Sequence, residues 1–587
     1  MRRGKIRHEA ERAASAAAEL VPDLSVAEPR VRIGDVLVHS GVITRDALEL
    51  VTPHVNGERL GTVLIERGLV AEDDVTRALS EQLHVPVVDL RDAAPEADAI
   101  ALVEPTDAHA HDVLPLIVTD GTLTVAVSDP LDANVMRLLK ALPVNEVHVA
   151  LGVPTQLRNR VNQTYSALSA VGTDIEAFQA TDVVLESTDT IDEAVDMHAP
   201  IVQIVNKIVT QALRDRASDV HIEPAEECVR VRFRIDGALS EVVELPSEMG
   251  QALVSRIKIM ADMNIVERRR PQDGQFEMNI DSRDLDVRVS TTSTIWGEKT
   301  VLRLLDRTRS LYALAELGMP ADVASLYSRL VTQPYGMIVV GGPTGSGKTT
   351  TLYATLSEIN RPDINVMTIE DPVEYIFPRV NQIQIHEQAG MTFATGLKSI
   401  LRQDPDVILV GEVRDVETAR IAVQSALTGH RVFSSIHAID AVSSLYRLLD
   451  MGIEPFLVTS AIVGVVAQRL VRKICLSCAT PYEPSVSEVT LFQKLGGREK
   501  RVWLKGKGCQ FCSNTGYFER VGVYEVMAIS DEIRQCVVDG APPSAAREIG
   551  MQQGMRTLQQ EAIRMVEHDV TTMEEVVKHV IMGEELA

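Results

Sequence analysis

The sequence has few cysteines, few aromatic residues and too few basic residues to balance its acidic ones. Its 587 residues include six cysteines, two tryptophans, 58 Lys and Arg, and 83 Asp and Glu, for a formal net charge of -25. Because nucleic-acid binding needs dense positive charge, this balance argues against a chain that wraps DNA or RNA, and we expect no nucleic-acid partner. Six cysteines in so long a chain also exclude a disulfide framework.

Long apolar runs are lacking as well. No run of about 18 apolar residues exists, so we predict no membrane-spanning helix. The longest candidate, FLVTSAIVGVVAQRL at 456–470, is too short and contains polar residues. The first 20 residues are basic but lack the apolar core of a signal peptide. We therefore expect a cytoplasmic chain that works at a membrane only through partners.

The length predicts several domains, and the first of them contains a repeat. RIGDVLVHSGVITRDAL at 32–48 is echoed by RLGTVLIERGLVAEDDV at 59–75, with Arg, Gly, Leu and Gly at matching positions 27 residues apart. Each copy predicts a short helix, a glycine turn and a second helix capped by Asp or Thr. Strand and helix patterns then alternate, which predicts an α+β structure over 84–165.

An acidic stretch follows this region. Residues 161–206 contain no Lys or Arg but eight Asp and Glu. We predict a flexible acidic linker over 166–195, with an exposed helix as the alternative. Beyond it, VRVRFRIDGAL alternates apolar and polar residues and predicts a β-hairpin that turns at Asp236-Gly237.

The segment GGPTGSGKTT at 341–350 predicts a phosphate-binding loop. An apolar strand pattern (YGMIVVGG) precedes it and a helix-forming pattern (TTTLYATLSEIN) follows, which is the context that a P-loop requires. Its glycines allow backbone N–H groups to face the phosphates, and the start of the helix adds its positive end. We expect Lys348 to neutralise the β- and γ-phosphates of ATP and Thr349 to bind Mg²⁺. The predicted nucleotide-binding residues are Gly342, Pro343, Thr344, Gly345, Ser346, Gly347, Lys348, Thr349 and Thr350.

Carboxylates follow two further apolar strands. The strand DVILV is followed by Gly411 and Glu412. In an ordinary Walker B strand of a P-loop ATPase, an Asp that binds the metal stands at the end of the strand. Here Gly411 takes that place, and Glu412 follows it. The segment TIEDPVEY places Glu370, Asp371 and Glu374 after another strand. Because the carboxyl ends of neighbouring parallel strands meet at one edge of a sheet, we expect these groups beside the γ-phosphate, with one orienting the attacking water. Taken alone, each carboxylate is better explained as a solvated loop charge.

A histidine and a group of arginines are further candidates. His437, in TGHRVFSSIHAIDA, suits a sensor of the γ-phosphate or of a neighbouring subunit, and a structural histidine is an equally good interpretation. Arginines that precede the P-loop could supply charge to ATP from the side or across a subunit interface, with solvation and hairpin pairing as the alternative. They are Arg230, Arg232, Arg234, Arg268, Arg270, Arg288 and Arg303.

Four cysteines form two close pairs, CLSC and CQFC, separated by 30 residues. Paired CxxC units place four thiolates on two turns, which suits tetrahedral Zn²⁺. No open ligand position is evident, so we expect a structural zinc site. The alternative, a pair of redox disulfides, is disfavoured by a reducing cytoplasm. The predicted ligands are Cys475, Cys478, Cys509 and Cys512.

In the order of its motifs, the chain resembles the ATPases of type II secretion and type IV pilus assembly. The motifs are ASDVHIEP, RFRIDG, RRPQDGQF, WGEKTVLRLLD, GPTGSGKTTTLY, TIEDPVEY, LRQDPDVILVGEVRD and ALTGHRVFSSIHAIDA, together with the two CxxC pairs. The resemblance implies a multidomain α/β fold. Its parts are a RecA-like P-loop ATPase core with a zinc-binding insert, a PAS-like α+β N2 domain, and a helical and α+β N1 domain.

The boundaries predicted from this resemblance divide the whole chain. They are 1–29 for an N-terminal extension, 30–165 for N1, 166–195 for the acidic linker, 196–310 for N2, and 311–587 for the ATPase domain with a zinc insert at about 472–516 and C-terminal helices.

The resemblance implies a function as well. It implies a cytoplasmic homohexamer, peripheral at the inner face of the cytoplasmic membrane, that hydrolyses ATP to power assembly of a type IV pilus or a type II pseudopilus. An inner-membrane platform protein and an adaptor would be its partners. The alternative is a nucleotide-binding regulatory module of the same machinery with weak turnover.

Roles of single residues follow from the same resemblance. Arg232 and Arg234 match arginines that contact phosphates, Glu374 matches the water-activating carboxylate, and Glu412 supports Mg²⁺ and water. His437 matches the His-box histidine. The family usually has T-x-H-T-N-D-A there, whereas this chain has SIHAIDA. The loss of two polar side chains would alter coupling or turnover but not nucleotide binding.

The repeat resembles the MshEN domain, which binds cyclic di-GMP in some pilus ATPases. The first copy departs from the family pattern at Pro53 and Val55, whereas the second keeps Gln82. Ligand binding and a role in packing or partner docking are therefore equally good interpretations. The residues that match are Arg32, Gly34, Leu37, Gly41, Arg59, Gly61, Leu64 and Gly68.

Overall fold

The computed structural model describes residues 32–52, 59–66, 69–90, 95–180, 199–281, 283–306 and 312–581. The chain divides into two compact units, Met1–Arg309 and Ser310–Ala587. The predicted N-terminal extension, 1–29, lies outside the described residues, as do Pro53, Val55 and Gly68 of the repeat. None of the described helices has both the length and the apolarity of a membrane span.

The first unit begins with helices and ends with a large sheet. Its helices are α1 (Ile33–His39), α2 (Arg45–Val51), α3 (Leu60–Glu66), α4 (Glu72–Leu83), α5 (Ala97–Ile100), α6 (Pro105–His111), α7 (Ala133–Ala141), α8 (Pro154–Thr164), α9 (Val171–Ala180), α10 (Pro200–Arg214) and α11 (Gly250–Met260). Its strands are β1 (Val113–Thr119), β2 (Thr122–Val127), β3 (Glu146–Leu151), β4 (Asp219–Pro224), β5 (Cys228–Ile235), β6 (Ala238–Pro246), β7 (Gln272–Ile280), β8 (Arg283–Thr294) and β9 (Gly297–Asp306).

The repeat forms two helix pairs, α1–α2 and α3–α4, around a shared apolar core. In the first copy the Thr44 hydroxyl accepts the N–H of Ala47 at 3.3 Å, which confirms the predicted cap. In the second copy the predicted Asp or Thr cap is wrong. Ala71 occupies the N-cap position, and the Asp74 carboxylate reaches back to its N–H at 3.3 Å.

A three-stranded sheet, β1-β2-β3, follows the repeat and packs against α8 and neighbouring helices. The repeat is joined to this α+β part by a carboxylate. Thr155, at the start of α8, donates from its N–H and its hydroxyl to the two oxygens of Glu72, at 3.0 and 2.7 Å. Glu72 is the first residue of α4, so this contact links the second copy of the repeat to the sheet region.

The segment predicted as a flexible linker begins with ordered structure instead. Residues 167–170 form a 3₁₀ turn and α9 continues to Ala180. Val171 is buried in the core of the following sheet domain, with Ile175 and Phe178 packed beside it. These apolar residues recur at helical spacing, and they outweigh the acidic composition that suggested a linker. Residues 181–195 of the predicted linker lie outside the described part of the chain.

The sheet domain that follows is antiparallel, in the order β6-β5-β4-β9-β8-β7. The apolar face packs against α10 and α11, since alternate residues such as Val229, Val231 and Phe233 are fully buried. The predicted hairpin is present: Ile235 pairs with Ala238, and both Asp236 and Gly237 have positive φ, as a two-residue turn requires. The opposite face of the sheet bears most of the candidate arginines.

The second unit is an α/β domain. Its helices are α12 (Ala321–Val331), α13 (Lys348–Ile359), α14 (Phe393–Ile400), α15 (Val416–Leu427), α16 (Ala441–Asp450), α17 (Pro455–Ala461), α18 (Val486–Lys494), α19 (Asp531–Val538), α20 (Pro543–Gln552), α21 (Leu558–Glu567) and α22 (Met573–His579). Its strands are β10 (Gly336–Gly341), β11 (Val366–Glu370), β12 (Val380–Gln384), β13 (Val407–Val410), β14 (Arg431–Ile436), β15 (Ile462–Ile474), β16 (Ala479–Tyr482), β17 (Trp503–Gly506) and β18 (Tyr517–Ala528).

Seven of these strands form one sheet in the order β12-β11-β13-β14-β10-β15-β18. All neighbours are parallel except β15 and β18. The central strands β10 and β13 are buried along their whole length, as the apolar runs predict for a sheet covered on both faces. The loops after β10, β11, β13 and β14 therefore emerge at one edge. The predicted multidomain α/β fold class is confirmed.

Candidate functional site

The P-loop leaves β10 at Gly341 and enters α13 at Lys348. Gly347 caps α13 with a φ of +88° and offers no side chain to the first helical N–H groups, which stay available to an anion. At Gly342 a Cβ would lie 2.8 Å from the carbonyl oxygen of Gln468 and would meet the Ser346 hydroxyl, so only glycine fits. The sequence thus folds this loop tightly against strand β15.

Lys348 lies folded over the loop that it follows. Its Nζ donates to the carbonyl oxygens of Gly342 and Pro343, at 2.9 and 3.0 Å. Burial lowers the pKa of Lys348, and the positive charge of Arg469 lowers it further, while Glu412 opposes both. The ammonium group is therefore held beside the predicted phosphate position, with one carboxylate and one guanidinium within electrostatic range.

The other predicted loop residues divide into exposed and buried ones. Thr349 and Thr350 are exposed at the first turn of α13, as a hydroxyl that binds a metal ion requires. Ser346 is buried, and its hydroxyl oxygen has no hydrogen-bond partner. Pro343, Thr344 and Gly345 are exposed on the outer side of the loop.

Glu412 and His437 come together at the carboxyl edge of the sheet. Glu412 follows β13 and His437 follows β14, and His437 Nε2 lies 3.6 Å from Glu412 Oε2. The Glu412 side chain is 16% exposed and that of His437 54%. Arg414 donates to the other oxygen of Glu412, and this hydrogen bond raises the pKa of Arg414. Lys348 lies within electrostatic range of Glu412, which brings Lys348, Glu412 and His437 to the same edge of the sheet.

Glu370 has a different place from the one expected of a catalytic carboxylate. It is 4% exposed and accepts hydrogen bonds from the Tyr353 hydroxyl, from Thr368 Oγ1 at 2.5 Å and from Gln382 Nε2 at 3.2 Å. These three donors occupy it inside the domain, so it does not act on a bound phosphate. Asp371 is exposed, and Glu374 is half-buried.

Tyr353 connects the P-loop helix to the segment that contains Glu374. Its hydroxyl donates to Glu370 and accepts the N–H of Glu374 at 3.2 Å. Burial raises the pKa of Tyr353, and the charge of Glu370 raises it further, so the hydroxyl stays a donor. The helix that begins at the P-loop therefore fixes the backbone at the predicted water-activating residue.

Two residues of β15 were missed by the sequence analysis. Gln468 is 1% exposed and Arg469 8%, and both lie at the end of the apolar stretch 456–470. Gln468 Nε2 donates to the Ser346 carbonyl oxygen at 2.7 Å, and Arg469 Nη2 donates to the Ile439 carbonyl oxygen at 2.7 Å. The only signal in the sequence was a polar pair inside a largely apolar stretch.

In the first unit, Arg232 and Arg234 both have partners on the polar face of the sheet. Arg232 Nη2 donates to both oxygens of Glu223, at 2.8 and 2.7 Å, and Lys299 lies 2.8 Å from the same carboxylate. Burial alone would raise the pKa of Glu223, but the hydrogen bonds from Arg232 and Lys299 outweigh it and lower the pKa to about 2. Arg234 donates to the Gly237 carbonyl oxygen at 3.0 Å.

The same face contains a groove of about 520 Å³. Arg288 on β8 and Arg303 on β9 stand directly opposite each other in its wall. Asp219 faces Arg303 from β4, with Arg303 Nε 3.1 Å from its carboxylate. Like charges opposed across two strands are unfavourable, and the carboxylates Asp219 and Asp273, which also line the groove, supply negative charge beside the two arginines. The Arg303 side chain is 63% exposed.

The four cysteines predicted to bind metal are clustered. Their sulfurs lie within 4.8 Å of one another, with separations of 3.9 Å for Cys475–Cys509, 3.8 Å for Cys478–Cys512 and 3.7 Å for Cys509–Cys512. A tetrahedral Zn²⁺ with Zn–S bonds of about 2.3 Å needs sulfurs about 3.8 Å apart. These separations are far too long for disulfides. The arrangement of the four sulfurs therefore suits a tetrahedral metal ion.

Backbone groups support the thiolate form of one of these cysteines. The N–H groups of Cys509 and Gly516 donate to Cys512 Sγ, at 3.3 and 3.2 Å. A hydrogen bond from Cys475 and these two backbone donors lower the pKa of Cys512. β15 leads directly into Cys475, and β18 begins soon after Cys512.

The matching residues of the repeat have mainly packing roles. Leu37 and Leu64 are fully buried. A Cβ on Gly61 would lie 2.8 Å from the Val75 side chain. Arg32 is exposed, whereas Arg59 forms an ion pair with Asp129.

Comparison with known proteins places this geometry in a family. A family model described as Type II/IV secretion system protein matches residues 194–578, and one described as MshEN domain matches residues 83–171. The chain belongs to the type II/IV secretion system protein family. The second match begins directly after the repeat.

This secretion ATPase has close relatives in two systems. The type IV pilus assembly ATPase PilB of Myxococcus xanthus is 40% identical, over 93% of this chain and 98% of that protein. The type II secretion system protein E of Xanthomonas campestris is 39% identical, over 89% of this chain and 93% of that protein. Among solved structures, the ATPase DotB of Legionella pneumophila is 19% identical, covers 63% of this chain and 94% of that chain, and has a TM-score of 0.48.

These findings confirm the predicted family and the predicted ATPase activity. A nucleotide with Mg²⁺ follows from the family, and a metal site is indicated by the cysteine cluster. The alternative of a regulatory module with weak turnover is not favoured.

Proposed function

We propose that this secretion ATPase is a hexameric motor that hydrolyses ATP to assemble a type IV pilus or a type II pseudopilus. The observation that supports it best is the convergence of Lys348, Glu412 and His437 at the carboxyl edge of the parallel sheet. Both kinds of relative match nearly the whole chain, and both kinds of fibre would use the same motor.

In this proposal the P-loop binds the phosphates of ATP and Lys348 neutralises their charge. To do so, its Nζ exchanges the carbonyl oxygens of Gly342 and Pro343 for phosphate oxygens. The Thr349 hydroxyl and Glu412 would hold Mg²⁺, which would neutralise charge on the phosphates, and the exposure of Thr349 supports this role. His437, beside Glu412, contacts the γ-phosphate end of the nucleotide.

Glu374 orients and activates the attacking water. Its backbone is fixed by the Tyr353 hydroxyl, and Tyr353 belongs to the helix that the P-loop begins. Glu370 does not share this role, because Tyr353, Thr368 and Gln382 already occupy its oxygens.

Arginines of the N2 sheet supply positive charge to the nucleotide of a neighbouring subunit. The resemblance assigns this role to Arg232 and Arg234, whose present partners are Glu223 and Gly237. The groove adds Arg288 and Arg303 as candidates, since they stand opposite each other in its wall and the Arg303 side chain is largely exposed. A contact of this kind makes hydrolysis depend on the assembled ring.

The cysteine cluster holds a structural Zn²⁺ through Cys475, Cys478, Cys509 and Cys512. All four ligand positions are filled by sulfur, so the ion fixes the ends of β15 and β18 and takes no part in hydrolysis. The platform protein and the adaptor of the inner membrane are the proposed partners of the ring, at the inner face of the cytoplasmic membrane.

Cyclic di-GMP is proposed as a ligand of the repeat. Arg32 is exposed and available to a phosphate, whereas Arg59 would first have to leave Asp129. Isothermal titration calorimetry with cyclic di-GMP tests this proposal. Binding by the wild type that is lost in Arg32→Ala would support it. If the wild type shows no heat of binding, the repeat has a role in packing and docking instead.

ATP hydrolysis by wild type and Lys348→Ala, measured together with light scattering, tests the proposal. We expect hydrolysis in a particle of about 386 kDa, six chains of 64.3 kDa each, and its loss in Lys348→Ala. Equal hydrolysis by both proteins would refute the proposed site, and full activity of a monomer would refute the ring.

A further inference from the structure

Strand β15 continues past the point where the P-loop strand ends. In the register of the two parallel strands Gly341, the last residue of β10, pairs with Ala467. β15 runs on to Ile474, so Gln468 and Arg469 stand beside the turn of the P-loop. Both are buried, although neither is apolar. Buried polar side chains are retained when their hydrogen bonds are made, and here the partners belong to the site.

Gln468 supports the P-loop from the side of strand β15. Its Nε2 donates to the carbonyl oxygen of Ser346 at 2.7 Å, and its Oε1 accepts the Thr351 hydroxyl at 2.8 Å. One side chain thus joins the loop to the first turn of α13. The Gln468 backbone also approaches Gly342 so closely that no Cβ fits there. The loop is fixed on the side that a phosphate does not occupy.

Arg469 holds the loop that follows His437. Its Nη2 donates to the carbonyl oxygen of Ile439 at 2.7 Å, and its Nη1 donates to the Gln468 carbonyl oxygen at 3.1 Å. Asp440 and Glu525 supply countercharge, while burial lowers the pKa of Arg469. Successive residues of a strand point to opposite faces, so the two side chains reach different loops from one strand.

We propose that Gln468 and Arg469 are positioning residues of the nucleotide site: Gln468 positions the P-loop for nucleotide binding, and Arg469 positions the loop that contains His437 for hydrolysis. The inference rests on the proposed roles of the P-loop and His437. Neither residue touches the nucleotide in this account. Each acts through the loop whose carbonyl oxygen it binds. Because the two residues are adjacent on one strand, they hold the P-loop and the loop that contains His437 in a fixed relative position.

The test separates nucleotide affinity from the rate of hydrolysis. Gln468→Met keeps the length of the side chain but removes both hydrogen bonds to the loop region. We expect the Kd of a non-hydrolysable ATP analogue to rise about fivefold, the effect of one net hydrogen bond, with a single-turnover rate at saturating ATP within about twofold of wild type. Arg469→Met should instead lower that rate about tenfold and leave the Kd within about twofold.

Arg469→Lys separates geometry from charge. Lysine keeps the positive charge but lacks the planar fork that spans Ile439 and Gln468. We expect Arg469→Lys to remain at least about fivefold slower than wild type. Full rescue by lysine would overturn the positioning role and leave only a charge effect.

Arg472→Met is the matched control on the same strand. Arg472 forms a buried ion pair with Glu575 at 2.6 Å, so its loss destabilises the domain without touching either loop. We expect a lower Tm but an unchanged Kd and rate for the folded protein. The inference is overturned if all variants lower the Tm and shift the Kd and rate together, or if Gln468→Met binds the analogue like wild type. Failure of the proposed function is distinguishable, since it would appear as absent hydrolysis in the wild type.

Discussion

The Tyr353 hydroxyl offers a sharp test of how the site is built. It donates to the buried carboxylate of Glu370 and accepts the N–H of Glu374, and its ring packs edge-to-face against Phe377 with centroids 4.9 Å apart. Tyr353→Phe removes one oxygen atom and keeps this packing. The change therefore isolates the two hydrogen bonds between the P-loop helix and the segment of the predicted water-activating residue.

The cost of this change follows from those two bonds. A hydrogen bond to a charged group contributes about 1.5–3 kcal/mol, and a neutral one contributes about 0.5–1.5 kcal/mol. Thr368 and Gln382 still donate to Glu370, so its carboxylate keeps two partners and the lower half of each range applies. We expect a loss of about 2–3 kcal/mol in stability, or roughly 5 °C in Tm.

The functional effect should fall on the rate. Because the Glu374 backbone loses its anchor while the P-loop is untouched, we expect kcat to fall about tenfold, with ATP affinity unchanged. Tyr327→Phe is the matched control, since the buried Tyr327 hydroxyl forms a hydrogen bond of 2.7 Å with Thr355, a residue of the same helix as Tyr353. It should lower the Tm by less and leave kcat unchanged. A Tyr353→Phe protein with reduced Tm and normal kcat would refute the link to Glu374.

Three further predictions concern other parts of the chain. Cys512→Ser should lower the bound zinc from one equivalent per chain to none, as measured by elemental mass spectrometry. Cys536→Ser, which changes a cysteine outside the cluster, should retain one equivalent of zinc. The pKa of Glu223 is lowered to about 2, so its ion pairs stabilise the fold above its ordinary pKa, and this stability is lost as the pH falls towards 2. Glu223→Gln should therefore lower the free energy of unfolding by about 2 kcal/mol at pH 7, and the difference from wild type should shrink by pH 3. Arg303→Ala should slow hydrolysis by the assembled ring at least about tenfold, whereas Arg269→Ala, also an exposed arginine, should match wild type in the same assay.

The features that depend on local chemistry could be predicted from the sequence. Three features belong to this class: the P-loop, the Asp236-Gly237 hairpin and the cysteine cluster. Each needs particular residue types at fixed spacing, and few other structures need the same pattern. Glycine at a positive φ and paired CxxC turns define their geometry within a few residues. The position of Glu412 at the carboxyl edge of the sheet also followed, because neighbouring parallel strands bring their carboxyl ends to one edge.

The features that depend on tertiary partners could not be predicted. Glu370 and Glu374 are four residues apart in one motif, and nothing in it shows that three donors occupy the first. The sequence gives no sign of a role for the polar pair Gln468-Arg469, since its partners lie more than 100 residues away for Gln468 and 30 residues away for Arg469. The segment 166–180 was expected to be flexible because the stretch around it is acidic. The burial of its apolar residues Val171, Ile175 and Phe178 depends on contact with the core of the following sheet domain, which the local sequence does not show.

The most direct test of the account is single-turnover hydrolysis of ATP by wild type and Glu374→Gln, with nucleotide binding measured on the same samples. The account predicts that the variant binds ATP within about threefold of wild type and hydrolyses it at least about 100-fold more slowly, as expected when a water-activating carboxylate is lost. Hydrolysis by Glu374→Gln at the wild-type rate would contradict it.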